Sequence, residues 1–299
     1  MSLTKSAEHA KGNLSGLGAI VLWSALPPLI RLVSENIGQL IGAALMFSVA
    51  SVLLILINGW APVRKFSIRY LAVGCALFVS YEVGLAVALG LAQDRRQAIE
   101  VGLVNYLWPC FTLLLAVLSG QRQASFLLLI PGVLISLFGV GWILSEGGGF
   151  SFQLIVANAS VNPMSYGLAL IGAFVWAVYC CVVKPLSQGK DATVLFFVAT
   201  SIALWVKYLL SDYNLADVQP MAVLELVVAA TIMALGYVGW NKGLLTGNLL
   251  FLAAVSYAAP VLSSLMGSII LNTTLQRYFW EGALLVTSGS LCCWWATRR

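Results

Sequence analysis

The stretch VNYLWPC, residues 104–110, places a proline near the middle of an apolar run that is long enough to cross a lipid bilayer. Proline removes a backbone N–H and clashes with the preceding turn, which costs about 3 kcal/mol inside a helix. The frame V-x-Y-x-x-P returns in VSYAAPV, residues 255–261. We therefore predict helix breaks, or hinges, at Pro109 and Pro260, in corresponding places of the chain.

The composition of the chain argues against a water-soluble fold. Hydrophobic residues make up 61% of the 299 residues and charged residues only 9%, whereas soluble domains carry about 25% charged residues. A helix needs about 20 apolar residues to span the hydrocarbon layer, and a membrane β-strand would need alternating polarity. The sequence has ten apolar runs without such alternation, at residues 13–33, 38–58, 68–91, 97–119, 123–145, 165–187, 192–211, 220–245, 248–272 and 277–296. We predict an all-α integral membrane protein with ten transmembrane helices.

The two proline stretches belong to a longer internal repeat. The aligned pairs are Val104–Val255, Tyr106–Tyr257, Pro109–Pro260 and Leu114–Leu265 at an offset of 151, Gly132–Gly282 and Gly139–Gly289 at 150, and Trp23–Trp176 at 153. Five spans per copy is an odd number, so the second copy must cross the membrane in the opposite orientation. Secondary transporters use such inverted repeats, with the substrate site near the midplane between them. The alternative is a bundle duplicated for packing alone.

The repeat and the distribution of basic residues predict the domains and the topology. The chain divides into an N-terminal five-helix repeat (residues 1–146), a linking loop (147–164) and a C-terminal five-helix repeat (165–299). Cytoplasmic loops favour Lys and Arg. With both termini in the cytoplasm, eleven of the 16 basic residues lie on the inner side and five on the outer side, namely Arg31, Arg95, Arg96, Lys207 and Arg277. The cluster Asp94-Arg95-Arg96 opposes this orientation. Pro27 and Pro28, near the outer end of the first span, are interpreted as helix terminators.

Several functional classes find no support in the sequence. The only histidine, His9, lies in the polar N-terminal tail, and the six cysteines lie in apolar runs without metal-type spacing. These residues provide neither a metal site nor a nucleophile–base pair. A phosphate loop is absent, and the net charge of +5 is explained by topology. We expect no enzyme activity, no cofactor or metal and no nucleic-acid partner.

A family resemblance narrows the class of transporter. The stretch ALGLAQDRRQAIEVGLVNYLWP (residues 88–109) and its shorter counterpart NKGLLTGNLLFLAAVSYAAP (241–260) resemble the EamA-type drug/metabolite transporter superfamily. RRQAIEVGLVNYLWPC (95–110) is similar to the aromatic amino acid exporter subfamily. The resemblance implies an exporter of the bacterial inner membrane with two inverted five-helix repeats around a central cavity.

Three tryptophans near the centres of their spans are the first candidates for the substrate site. An indole N–H in hydrocarbon lacks a hydrogen-bond partner, so Trp23, Trp108 and Trp176 should face protein or a cavity. Buried helix packing is the alternative. Trp108 aligns with Ala259, and this asymmetry predicts a flat slot for a planar ligand.

Six further residues complete the predicted site. Tyr179 lies three residues after Trp176 and shares its helix face. Tyr81 and Glu82 occupy the middle of the third span, and an ionisable residue at that depth is a functional candidate. Glu82 is expected to pair with a substrate ammonium or carry a proton; an interhelical hydrogen bond is the alternative. The last three residues lie just before the two prolines, and they are Asn105, Tyr106 and Tyr257.

These observations predict a secondary transporter that exports aromatic amino acids and related planar metabolites by alternating access. Its partners would be the small-molecule substrate and the lipid bilayer, and the oligomeric state is left open, a monomer included. Two alternatives remain: an exporter of lipophilic aromatic cations such as viologens, and a membrane scaffold that transports nothing.

Overall fold

The computed structural model describes residues 2–120, 126–144, 152–211, 219–247, 252, 255–256 and 258–296. Within these ranges the regular structure is helical, with one 3-10 turn at Val63–Lys65. The α-helices are α1 (Ser2–Ser24), α2 (Leu26–Ile37), α3 (Gln39–Asn58), α4 (Ile68–Gly90), α5 (Arg95–Asn105), α6 (Trp108–Leu118), α7 (Phe126–Leu144), α8 (Phe152–Val161), α9 (Pro163–Ser187), α10 (Thr193–Leu209), α11 (Pro220–Thr246), α12 (Ala259–Ile270) and α13 (Arg277–Ala296).

Six helical stretches among the described residues are long and apolar enough to cross a membrane. They are Glu8–Ile37, Gln39–Asn58, Ile68–Gly90, Arg95–Leu118, Pro163–Val183 and Pro220–Thr246, and three shorter apolar helices accompany them at Leu127–Ile143, Thr193–Leu209 and Ala259–Ile270. Large apolar side chains such as Leu56, Ile68 and Leu127 are exposed on the outside of the bundle, where lipid would cover them. The chain is thus a helical membrane protein, and the count of ten spans stays a prediction.

Prolines lie in the first turn of the helix that follows each break. Between α5 and α6, the Tyr106 N–H donates to the carbonyls of Gly102 and Leu103 at 3.2 and 3.0 Å, and Pro109 lies in the first turn of α6. Pro260 occupies the same place in α12. A first-turn proline lacks only an N–H that has no helical acceptor, so the cost of an interior proline does not arise at either site.

A further break separates α1 from α2. Pro27 and Pro28 lie in the first turn of α2, so this pair does more than end a helix: it starts the next one, which continues to Ile37. The predicted linking loop likewise contains a helix, α8.

Antiparallel and crossing helix pairs build the bundle around one large core cluster. The most extensive contacts join α7 with α13, α1 with α11, α4 with α9, and α3 with α10. The α7–α13 pair packs through glycines and has its own small clusters of buried residues. The main cluster is rich in aromatic rings, and these lie around the C-terminal end of α1 and the middle parts of α4, α9 and α11.

Candidate functional site

A small cavity lies at the centre of the bundle, where two helix breaks meet three other helices. It is bounded by the α1–α2 break, the α5–α6 break and the middle parts of α4, α9 and α11. Its lining consists mainly of aromatic and aliphatic side chains, which are Trp23, Leu26, Pro27, Ile30, Tyr81, Glu82, Leu85, Asn105, Tyr106, Trp108, Trp176, Met233 and Tyr237.

Most of the predicted site residues line this one cavity, namely Trp23, Tyr81, Glu82, Asn105, Tyr106, Trp108 and Trp176. Tyr179 lies behind Trp176, with the two rings stacked at a centroid distance of 4.7 Å. Tyr257 lies outside the described residues. Pro109 and Pro260 begin α6 and α12 and are not among the described lining residues.

Aromatic rings form the walls of the cavity. Trp176 stacks on Tyr81 at 4.7 Å with an interplanar angle of 30°, and Trp23 lies 4.9 Å from Tyr237 at 59°. The two tryptophans meet edge to face, with ring centroids 5.8 Å apart and an angle of 78°. Stacked and edge-to-face pairs at these distances are the favourable arrangements of aromatic rings. The cavity is therefore lined by aromatic rings in the arrangements in which a planar ring also packs favourably.

Different side chains lie at the two ends of the cavity. Toward the N-terminal end of α4, Phe78, Tyr179, Phe196 and Phe197 form a fully buried layer, which we call the aromatic plug. Toward the C-terminal end of α4, the covering side chains are aliphatic: Leu26, Ile30 and Leu85. The cavity volume is about 40 Å³, room for a few water molecules, whereas small-molecule sites measure about 300 to 1,000 Å³.

Three hydrogen bonds fix polar groups in the wall. The Tyr237 hydroxyl donates to Glu82 Oε1 across α11 and α4. Asn105 Nδ2 donates to the Tyr81 hydroxyl at 3.1 Å. The Tyr106 hydroxyl donates to the backbone carbonyl of Trp23 at 3.2 Å, which joins the two helix breaks. The interhelical hydrogen bond that was the alternative role for Glu82 is therefore present, and it does not conflict with a role toward substrate.

Two polar atoms of lining residues have no hydrogen-bond partner among the described residues. They are Trp23 Nε1, a donor, and Asn105 Oδ1, an acceptor. Close by, the Tyr179 hydroxyl and Trp240 Nε1 also lack a hydrogen-bond partner among the described residues. A buried polar atom without a partner costs about 1 to 3 kcal/mol. A ligand or water that accepts from Trp23 and donates to Asn105 would remove that cost.

Sequence reasoning missed Tyr237, Trp240 and Met233. Tyr237 touches Trp23, and Trp240 lies between Trp23 and Trp108 at centroid distances of 5.0 and 5.5 Å. The sequence did contain a signal for Tyr237 and Trp240. They are three positions apart within one apolar span, which is the spacing that marked Trp176 and Tyr179. The next two residues, Asn241 and Lys242, could in principle meet a substrate carboxylate but are not among the described lining residues. Asn241 Nδ2 donates to Thr193, and Lys242 is exposed. Among the described residues no group of three His, Cys, Asp or Glu could hold a metal ion.

Comparison with known proteins gives consistent relatives. A model of the EamA-like transporter family matches residues 163–295. The aromatic amino acid exporter YddG of Salmonella typhimurium is 44% identical over 97% of this chain and 98% of its own length, and YddG of Escherichia coli is 43% identical with the same coverage. YddG of Ancylobacter novellus is 30% identical over 86% of this chain and 88% of its own. A crystal structure with 24% sequence identity has the same fold, with a TM-score of 0.69 over 97% of this chain and 99% of that one.

Proposed function

The chain belongs to the EamA-like transporter family, together with its YddG relatives, and from this premise we propose that it exports aromatic amino acids and related planar metabolites across the bacterial inner membrane. The observation that carries the proposal is the central cavity, whose walls are tryptophan and tyrosine rings. Rings at offset or edge-to-face distances bind another planar ring favourably. The relatives named aromatic amino acid exporter YddG support the substrate class.

We infer that transport proceeds by alternating access between two inverted halves. Near a two-fold axis, a residue contacts its own equivalent in the other half. Trp23 and Trp176, 153 positions apart, touch edge to face. Ser48 and Ser201, also 153 positions apart, lie 2.8 Å apart between their hydroxyl oxygens. Both contacts support a two-fold axis through the centre of the bundle.

The α7–α13 pair supports the same symmetry. Gly132 packs against Gly289, and Gly139 packs against Gly282. The sequence repeat pairs Gly132 with Gly282 and Gly139 with Gly289, so exchanging the halves converts one contact into the other. The contacts between whole helices show the same relation. Exchanging the halves replaces α1 by α9 and α11 by α4, so the α1–α11 contact becomes the α4–α9 contact. These relations support the division into residues 1–146 and 165–299.

In the proposed topology both termini are cytoplasmic, so the aromatic plug closes the cytoplasmic side and the aliphatic cover closes the outer side. Because the cavity of about 40 Å³ is far smaller than a site for a small ligand, one side must open for each substrate. The helix breaks before Pro109 and Pro260 are suited to act as hinges, because helical hydrogen bonding is already interrupted there.

Counterflow of labelled tryptophan, tyrosine and phenylalanine in proteoliposomes, with and without a proton gradient, tests the function. We expect protein-dependent uptake of all three. Trp176→Ala removes the central ring of the stack and should lower this flux at least tenfold, while Trp295→Ala, at a surface tryptophan that is 67% exposed, should leave it unchanged. A scaffold would give no flux, and equal flux in the two variants would show that the cavity is not the site.

A further inference from the structure

The described lining of the cavity contains one acidic group and no basic group. Glu82, which is 3% exposed, is the only acidic or basic side chain among the described lining residues. Residues 248–257, which are only partly described, contain no Lys or Arg in the sequence. A carboxylate ligand would therefore find no cation among the described lining residues.

The nearest candidate cation is already engaged elsewhere. Arg31 follows the lining residue Ile30, but its guanidinium Nε donates to Glu35 at 2.8 Å and its Nη1 donates to the carbonyl of Leu89 at 3.3 Å. A further bond goes to the carbonyl of Ala92. These bonds hold the side chain at the C-terminal end of α4, where a cation is favoured by the helix carbonyls.

Acceptors for an ammonium group, by contrast, are present in the same wall. Asn105 is 4% exposed, and its Nδ2 is used by Tyr81, which leaves Oδ1 without a partner among the described residues. Glu82 supplies a carboxylate next to Tyr81. A primary ammonium has three N–H donors, so it can bond to both residues while an aromatic face beside it adds a cation–π contact.

Among the described lining residues, the only unpaired donor for a carboxylate is neutral. Trp23 Nε1 can donate one hydrogen bond, and a bond between a neutral donor and a charged acceptor contributes less than a paired guanidinium would. A substrate carboxylate would also lose its hydration in this small cavity, and burying a charge without a paired cation is costly. Loss of the carboxylate from a ligand should therefore cost little affinity.

We propose that the cavity also binds and exports aromatic primary amines, the carboxylate-free counterparts of aromatic amino acids, because it recognises the ring and the ammonium rather than the carboxylate. This proposal rests on the central cavity being the export site. The unpaired Asn105 oxygen makes a second distinction: a primary ammonium can donate to it, whereas a quaternary ammonium has no N–H. Primary amines should bind better than quaternary amines with the same ring.

Competition against phenylalanine counterflow in proteoliposomes tests the proposal with four ligands that share a phenyl ring and differ in their charged groups. We expect 2-phenylethylamine to inhibit at concentrations equal to or below those of unlabelled phenylalanine. 3-Phenylpropionate, which has the carboxylate and lacks the ammonium, should be at least tenfold weaker, and trimethyl(2-phenylethyl)ammonium should be weaker than the primary amine. Vesicles preloaded with 2-phenylethylamine should drive uptake of labelled phenylalanine, which distinguishes transport from blockage.

Two variants test whether the amine binds to Glu82 in the cavity wall. Glu82→Gln should weaken inhibition by 2-phenylethylamine at least tenfold, while Glu225→Gln, at a carboxylate that bonds to Asn36 outside the cavity, should not. Active phenylalanine counterflow with stronger inhibition by 3-phenylpropionate than by the amine would overturn the proposal while leaving amino acid export intact. If phenylalanine counterflow is absent, export itself fails, and a Glu82-dependent shift of the unfolding temperature by 2-phenylethylamine then decides whether the cavity binds amines.

Discussion

The proposed halves meet in two places that are built in opposite ways. At the glycine seam, formed by Gly132, Ser136 and Gly139 of α7 with Gly282, Gly289 and Ser290 of α13, the backbones touch. A Cβ added at Gly289 would lie 2.5 Å from the carbonyl oxygen of Gly132. At the central cluster, the halves meet instead through large rings, with Trp23 against Trp176.

The polar atoms of the two places differ as well. In the glycine seam, Ser136 donates to the carbonyl of Val286 at 3.2 Å and lies 3.4 Å from the hydroxyl of Ser290. In the central cluster, Trp23 Nε1 and Asn105 Oδ1 have no partner among the described residues. Small residues and cross-helix bonds are what helices in lipid use to associate tightly. We infer that the glycine seam holds the proposed halves together, whereas the central cluster is less stable and leaves polar groups free to bond to a ligand.

The largest expected effect comes from filling the glycine seam. Gly289→Ala places a methyl group against the backbone of α7, which cannot move as a side chain could, so the helices must separate. We expect the free energy of unfolding to fall by about 3 kcal/mol, the upper range for overpacking. Thermal or denaturant unfolding of the purified protein in detergent measures it.

Gly167→Ala is the matched control, because a Cβ at Gly167 of α9 meets no atom within 4 Å. Replacing a helical glycine by alanine in open space should stabilise by about 0.5 to 1 kcal/mol. Similar unfolding midpoints for the two variants would remove the contrast between the seam and the rest of the bundle.

A smaller effect is expected when the added methyl group meets a ring instead of a backbone. In Gly236→Ala the new Cβ would lie 2.7 Å from Cδ1 and Nε1 of Trp23, and the ring can turn away into the cavity. We expect little loss of stability but about fivefold slower phenylalanine counterflow, equivalent to about 1 kcal/mol of lost ring contact. Gly18→Ala, on the same helix as Trp23 and in open space, should retain full flux. If Gly236→Ala instead unfolded the protein, the central cluster could not adjust to an added methyl group, and this prediction would be wrong.

The sequence predicted the helical membrane fold, the family and much of the cavity for a simple reason: each rests on local patterns. Run length and proline spacing report on single helices, and the depth of Trp23 and Trp176 in their spans can be read from position alone. The bond between Tyr237 and Glu82 joins residues 155 positions apart and depends on how α4 and α11 pack. The unpaired state of Trp23 Nε1 depends on every neighbour of the ring, which no pattern in one sequence specifies.

The smallest expected effects come from replacing a tryptophan by phenylalanine, first where the indole N–H is unpaired and then where it is paired. Trp23→Phe keeps a ring in the central cluster but removes a buried donor that has no partner among the described residues, so the loss of ring contact is offset by the lifted cost of the unpaired group. We expect the unfolding midpoint to stay within the equivalent of about 1 kcal/mol. The apparent affinity for phenylalanine should fall about threefold, the value of one modest hydrogen bond, while that for 2-phenylethylamine, which has no carboxylate, should not change.

Trp205→Phe gives the opposite pattern, because Trp205 Nε1 donates to Ser48 at 2.9 Å beside the Ser48–Ser201 contact. Breaking that bond leaves a partly buried hydroxyl with one partner fewer, and should cost about 1 kcal/mol of stability with no change in the affinity for either ligand. Counterflow competition together with unfolding measurements on both variants checks the pair. If Trp23→Phe lowered stability as Trp205→Phe does, and left both affinities alone, the indole N–H of Trp23 would be a packing group and not a ligand donor.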